Sequence, residues 1–198
     1  LSVTNTADPN KTKYFPKFDW PRVLNPAVRY PQTEENQKAT RRDEELSLNQ
    51  IRTAFAENPD EIACILIEPI QGEGGDNHFS REFLQQVKDI AHENDALLVF
   101  DEVQSGVGVS GRFWAHQAIG VEPDIIAFGK KTQVCGILAS KKLDEVEGHV
   151  FKTPSRINST WGGSLVDMVR FDRILEIIEE DNLVEAAAST GEYLKERL

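Results

Sequence analysis

The sequence predicts an α/β domain with a mostly parallel sheet, and three observations carry that prediction. Short apolar runs at ACILIE (63–68), ALLVFDE (96–102) and PDIIAFGK (123–130) have the length and composition of buried strands. Stretches with helical periodicity separate them, the alternation expected of parallel strands joined by crossover helices. The runs also end on charge, at Glu68, Asp101 and Lys130, and open parallel sheets bind ligands at the carboxyl ends of their strands.

Taken in order, residues 1–42 hold five of the nine prolines and the aromatics Tyr14, Phe15, Phe18, Trp20 and Tyr30. Proline removes a backbone donor and bars long helices, so this part reads as an irregular segment anchored on a core by its aromatics. From Arg42 a helix is expected, with Leu46, Leu48, Ile51, Ala54 and Phe55 on its apolar side and Asn58-Pro59 ending it. The first strand, 63–68, leads into a glycine-rich loop at Gly72–Asp76. Ser80 suits the N-cap of a helix over about 81–94, with Phe83, Leu84, Val87, Ile90 and Ala91 facing inward. The second strand follows, then a short helix near 113–119, the third strand, and a fourth strand at GILAS (136–140). Beyond Gly163 the pattern is helical, with a further helix starting near Leu183.

Composition narrows the function. There are 33 acidic and 22 basic residues among 198, a net charge of −11. Such a balance repels a nucleic-acid backbone or an anionic membrane surface. No apolar run reaches the roughly 20 residues that cross a bilayer, and the opening LSVTNTADPN has no signal-peptide pattern. Two cysteines, Cys64 and Cys135, are too few for a disulfide framework and have no clustered partners for zinc, so free thiols in the cytoplasm are expected. His78, His92, His116 and His149 show no metal-ligand spacing, and no metal site is expected. The chain begins on Leu1 and stops within a helical pattern, which suggests a piece of a longer protein.

Asp101 and Lys130 carry the chemistry. They stand 29 residues apart, about one crossover unit, so neighbouring strands present a carboxylate and an amine at one sheet edge. A lysine at a partly dry strand end loses basicity by desolvation and becomes a nucleophile. A carboxylate opposite can hold a protonated pyridine nitrogen. Spacing alone favours a surface salt bridge at a strand end over a catalytic pair.

The surrounding motifs decide between those readings. EPIQGEGG, DEVQSG and PDIIAFGK, in that order and at these separations, closely resemble the class III (ω) aminotransferases, whose catalytic large domain has the aspartate-aminotransferase fold (fold type I). The resemblance implies pyridoxal 5'-phosphate as cofactor, residues 1–162 as part of the large domain, and 163–198 as helices leading towards a small C-terminal domain. Both ends of the family protein extend beyond this chain. GKKTQVCGI, FPKFDWPR and STWGGSLVDMVR are most similar to members that act on the terminal amine of lysine; 4-aminobutyrate and ornithine are the alternatives.

Residue by residue, the resemblance gives Lys130 the covalent hold on the cofactor and the proton transfer, with Lys131 its competitor on sequence alone. It gives Asp101 the pyridine nitrogen, Val103 the ring face and Gln104 the ring hydroxyl. Thr160 serves the phosphate of a neighbouring subunit, which implies a homodimer with composite sites. Glu68 pairs with an arginine of the C-terminal domain and releases it when a second carboxylate binds, so one pocket serves an amino acid and a 2-oxo acid. Gln71 lines that pocket. Cys135 is read as packing, and Trp161 as either a core anchor or a phosphate neighbour. A nucleotide-binding module is the reading from another class; it needs a Gly-rich turn of GxGxxG spacing, which Gly72–Gly75 does not provide. A non-catalytic remnant is the third.

Overall fold

The computed structural model describes residues 2–4, 8–157 and 159–198. The chain divides into two compact units, residues 1–98 and 99–198.

In the first unit the proline-rich segment is irregular, as expected, but side chains rather than a core hold it. Arg22 donates to the carbonyls of Ser2 (2.6 Å) and Thr4 (3.1 Å), and Ser2 Oγ accepts from the Phe18 amide. The aromatics do not anchor it. Tyr14 is 83% exposed, and Phe15, Phe18, Trp20 and Tyr30 are also exposed, with Phe18 and Trp20 stacked on each other at 5.2 Å.

Helix α1 (Glu34–Glu57) starts eight residues before the expected Arg42. Thr33 caps it, its side chain accepting from the Asn36 amide, and Glu34 and Glu35 complement the dipole of the first turn. Its buried face, Thr40, Glu44, Ser47, Leu48, Ile51 and Phe55, recurs at helical spacing. Helix α2 (Arg81–Glu93) takes the Ser80 cap and buries the five residues the periodicity selected. The two helices pack together, and Glu44 of α1 accepts from the Ser80 amide at 3.4 Å.

Strand β1 (Cys64–Ile67) is not buried as its apolar run implied: Cys64 and Leu66 are exposed, Ile65 and Ile67 partly so. The backbone amide of Leu97 donates to the Ala63 carbonyl, bringing the start of β4 (Leu97–Asp101) beside it. The glycine-rich loop is the tip of a small antiparallel hairpin, β2 (Ile70–Gln71) with β3 (Asn77–His78). Gly75 there adopts φ +112, a conformation L side chains rarely reach.

The second unit holds β4 from Val99 onward, β5 (Ile125–Phe128) and β6 (Gly136–Ala139), in the order β4-β5-β6. β4 and β5 are parallel, with Asp101 opposite Ala127; β6 returns antiparallel along β5. Helix α3 (Ala115–Ile119) precedes β5, and α4 (Leu165–Glu180) and α5 (Leu183–Lys195) follow. Phe100, Ala115, Val121, Ile126 and Phe128 form the core of this unit. The Phe128 ring sits between Trp114 (5.9 Å) and Phe171 (5.8 Å) and against Gly136, where a Cβ would lie 2.6 Å from it. Among the described residues no helix is long and apolar enough to cross a membrane.

Candidate active site

Both β4 and β5 end in polar turns, and the pairing register brings those turns side by side. The last ladder bond runs from the Glu102 amide to the Ala127 carbonyl (2.9 Å). Beyond it, Asp101 Oδ1 accepts from the Val103 amide at 3.0 Å, closing a turn that carries Val103 and Gln104, both half-buried. Asp101 Oδ2 has no protein partner among the described residues. On the neighbouring strand Gly129 is extended, and a Cβ there would lie 2.9 Å from Cys135 Sγ. Lys130 then opens a short 3-10 turn, Lys130–Thr132, in the left-handed region at φ +54, and is exposed. That conformation costs an L residue about 1 kcal/mol. The Gln133 amide (3.0 Å) and side-chain Nε2 (3.1 Å) both donate to the Lys130 carbonyl and hold it there.

The two adjacent lysines have different surroundings. Lys131 is half-buried and its ammonium donates to Gln104 O at 2.7 Å and Val103 O at 3.4 Å. Burial lowers its pKa below the ordinary lysine value, and the neighbouring charge of Lys130 lowers it further. The Lys130 amine has no partner among the described residues.

Two buried polar groups in this turn escaped the sequence reading. Glu102 is fully buried and caps α3: it accepts from the Ala115 amide (2.6 Å) and the His116 amide (2.9 Å), and lies 3.0 Å from His116 Nδ1. Its only sequence signal is that a second acid follows Asp101. His116, a histidine of α3, is thus half-buried against the fully buried Glu102. Ser105 is 7% exposed, and its Oγ is the one buried side-chain oxygen without a partner among the described residues.

Thr160 lies on an exposed bend of the second unit, where Ser159 Oγ accepts from the Gly162 amide; Asn158 of the NSTWGG motif is outside the described residues. Trp161 is 83% exposed and is not a core anchor. Glu68 and Gln71 belong to the first unit. Glu68 is half-buried directly after β1, and its Oε2 accepts from the Gly72 amide at 3.2 Å. Gln71 Oε1 accepts from Asn25 Nδ2 (2.5 Å) and Asn77 Nδ2 (2.9 Å), so the hairpin fixes its side chain. Glu73, at the hairpin tip, forms an ion pair with Lys11. Both cysteines are free, and partial desolvation raises the Cys64 thiol pKa although the residue as a whole is exposed. Among the described residues no group of three or more His, Cys, Asp or Glu could hold a metal ion.

Parallel strands, one ending on a carboxylate and the other followed by an unpartnered amine, make a candidate site whose chemistry suits a carbonyl-bearing group. Comparison with known proteins narrows that chemistry. The aminotransferase class-III profile matches residues 1–198, and the chain belongs to this family. It is 52% identical over its whole length to L-lysine-epsilon aminotransferase of Amycolatopsis lactamdurans, covering 44% of that protein. Identity to the enzyme of the same name from Mycobacterium tuberculosis (strain ATCC 25618 / H37Rv) is 54%, covering 43% of it. The 4-aminobutyrate aminotransferase of Emericella nidulans is 37% identical over 98% of the chain. The structure of lysine aminotransferase from M. tuberculosis superposes with a TM-score of 0.91 at 53% identity, over 99% of this chain and 44% of that one. The chain thus spans less than half the length of these relatives.

Class-III aminotransferases use pyridoxal phosphate. The residues present fit that group: a free amine at Lys130, an unused carboxylate oxygen at Asp101, and an unsatisfied hydroxyl at Ser105 in the same turn region.

Proposed function

We propose that this chain is the lysine-bearing part of an aminotransferase that moves the terminal amine of L-lysine to 2-oxoglutarate, giving 2-aminoadipate 6-semialdehyde and glutamate. One observation carries the catalytic assignment. Of the two adjacent lysines, Lys131 is tied down by two carbonyls, while Lys130 is exposed and without a partner among the described residues, in the turn after the strand that pairs with the Asp101 strand. The substrate assignment draws on identity: 52–54% to proteins named for lysine, against 37% to one named for 4-aminobutyrate.

When bound, pyridoxal phosphate supplies a carbonyl carbon for the amine and a pyridine ring that stores an electron pair. Lys130 would hold the cofactor through its amine and would serve as the group that accepts and returns the proton. Asp101, through its free oxygen, would hold the ring nitrogen in its protonated form. Val103 would pack against the cofactor and Gln104 would donate a hydrogen bond to it. Glu68 is the movable partner of an arginine from beyond this chain, and Gln71 lines the substrate pocket. The pairing with Glu68 matters because a buried guanidinium left without a partner is costly. Thr160 reaches the phosphate bound by a second copy, so the working form is a homodimer. Residues 163–198 lead towards a small domain. A cytoplasmic setting belongs to the same reading, supported by the two unpaired thiols.

The test adds pyridoxal phosphate to this chain and to a version extended at both ends to the relatives' length, reduces with borohydride, and maps the labelled peptide. Label on Lys130 is expected, and label on Lys131 overturns the assignment. In the extended protein, lysine is expected to outpace ornithine and 4-aminobutyrate, with parallel-line kinetics against 2-oxoglutarate. A faster rate with 4-aminobutyrate overturns the choice of substrate.

A further inference from the structure

We propose that Lys131 is a positioning residue of the cofactor pocket, whose ammonium ties the turn after β4 to the turn after β5 and so holds Asp101, Val103 and Gln104 in fixed register with Lys130. The inference rests on the reading of Lys130 and Asp101 given above and assigns a role to a residue that reading leaves idle.

The argument begins where the sheet stops. The bond from the Glu102 amide to the Ala127 carbonyl is the last backbone link between the two strands. Past it the chains separate into residues 103–106 on one side and 129–135 on the other. Among the described residues, only the Lys131 ammonium makes hydrogen bonds between these two segments, at 2.7 Å to Gln104 O and 3.4 Å to Val103 O. A carbonyl beyond the end of a ladder needs another donor when half-buried, and a charged donor gives the stronger bond.

The clamp also acts on Lys130. That residue is held at φ +54, and such a backbone persists only where its surroundings over-determine it. Gln133 fixes its carbonyl on the C-terminal side. Lys131 fixes the very next residue to the opposite turn. Repulsion between the adjacent ammonium groups favours the observed division, with Lys131 turned into the β4 turn and Lys130 left outward. Desolvation and the Lys130 charge lower the Lys131 pKa, as expected for an ammonium drawn partly out of water beside a like charge. An aliphatic residue could fill the same space but could not satisfy the two carbonyls.

The experiment compares K131M, which keeps the stem and removes the donor, with K131R, which keeps charge and donors. Hydrogen exchange is followed on the cofactor-free protein, in the chain and in its extended form, together with pyridoxal phosphate affinity and the visible band of the bound cofactor. K131M is expected to lose about tenfold protection in the 102–106 peptide, to weaken cofactor affinity about tenfold and to shift the visible band. K131R is expected to restore protection and affinity to within about threefold. Unchanged exchange and affinity in K131M overturn the proposal, as does protection lost evenly along the whole chain. If the wild-type protein traps no cofactor at all, the functional reading fails. The exchange measurement needs no cofactor and still decides the clamp.

Discussion

At Lys130 and Lys131 two identical side chains, one peptide bond apart, reach opposite environments because the first sits at φ +54. That turn sends one amine outward and the other to the carbonyls of Val103 and Gln104. Nothing in the letters KK distinguishes them, since the left-handed residue and its Gln133 latch emerge only from the fold. The placement of Asp101 and Lys130 at the ends of neighbouring strands was legible, because each ends an apolar run. Glu102 was not, because its burial depends on α3 returning its N-terminus to that carboxylate. The lowered Lys131 pKa has a consequence for stability. The folded state binds this proton less tightly than the unfolded chain does. Below the folded pKa the lysine is charged in both states and its burial penalty is fully present. As pH rises from there towards the ordinary lysine value near 10.4, the unfolded chain binds more protons, so this residue's contribution to stability rises with pH and then levels. Urea titrations between about pH 8 and 11 are expected to show this upward component in the wild type and its loss in K131M. Equal slopes for the two proteins sink it.

Elements were legible where local chemistry terminates them. Ser80 before α2 and Asn58 after α1 stand where the sequence put them, since caps act on backbone groups within one turn. The start of α1 was misplaced because prolines up to Pro31 suggested continuing irregularity, whereas Thr33, Glu34 and Glu35 already supply a cap and an acidic first turn. The run CILI correctly gave a strand but not its exposure, because an apolar run reports what a segment can bury and not which element covers it. Glycines give a sharper test of packing. A Cβ at Gly106 would lie 2.8 Å from the Glu102 carbonyl oxygen and 2.8 Å from a Trp114 ring carbon, so neither the turn nor α3 could stay in place. At Gly191, within α5, nothing lies within 4 Å. G106A is therefore expected to destabilise the fold by about 1–3 kcal/mol, and G191A to be neutral or stabilising by up to about 1 kcal/mol. Denaturant midpoints compare them directly, and equal effects contradict the packing described around the β4 turn.

For the chain as a whole, two opposing forces act on association. A net charge of −11 repels copies of the chain from one another. Exposed apolar side chains attract them: Phe18 and Trp20 in the first unit, and in the second the α4 residues Leu165 (83% exposed), Val166, Met168 and Val169. The described structure buries no residue of α4. Charge repulsion between exposed groups is screened over about 10 Å at 0.1 M salt and about 3 Å at 1 M, while apolar attraction survives. Self-association measured by light scattering is therefore expected to rise with sodium chloride, the reverse of an assembly held by surface ion pairs. The double substitution L165E/V169E adds repulsion within the apolar patch and removes no buried contact. It is expected to suppress the salt-induced association while leaving the thermal midpoint unchanged. A lower midpoint would mean that Leu165 or Val169 itself packs against something within the chain, and unchanged association would move the attraction to the stacked Phe18 and Trp20.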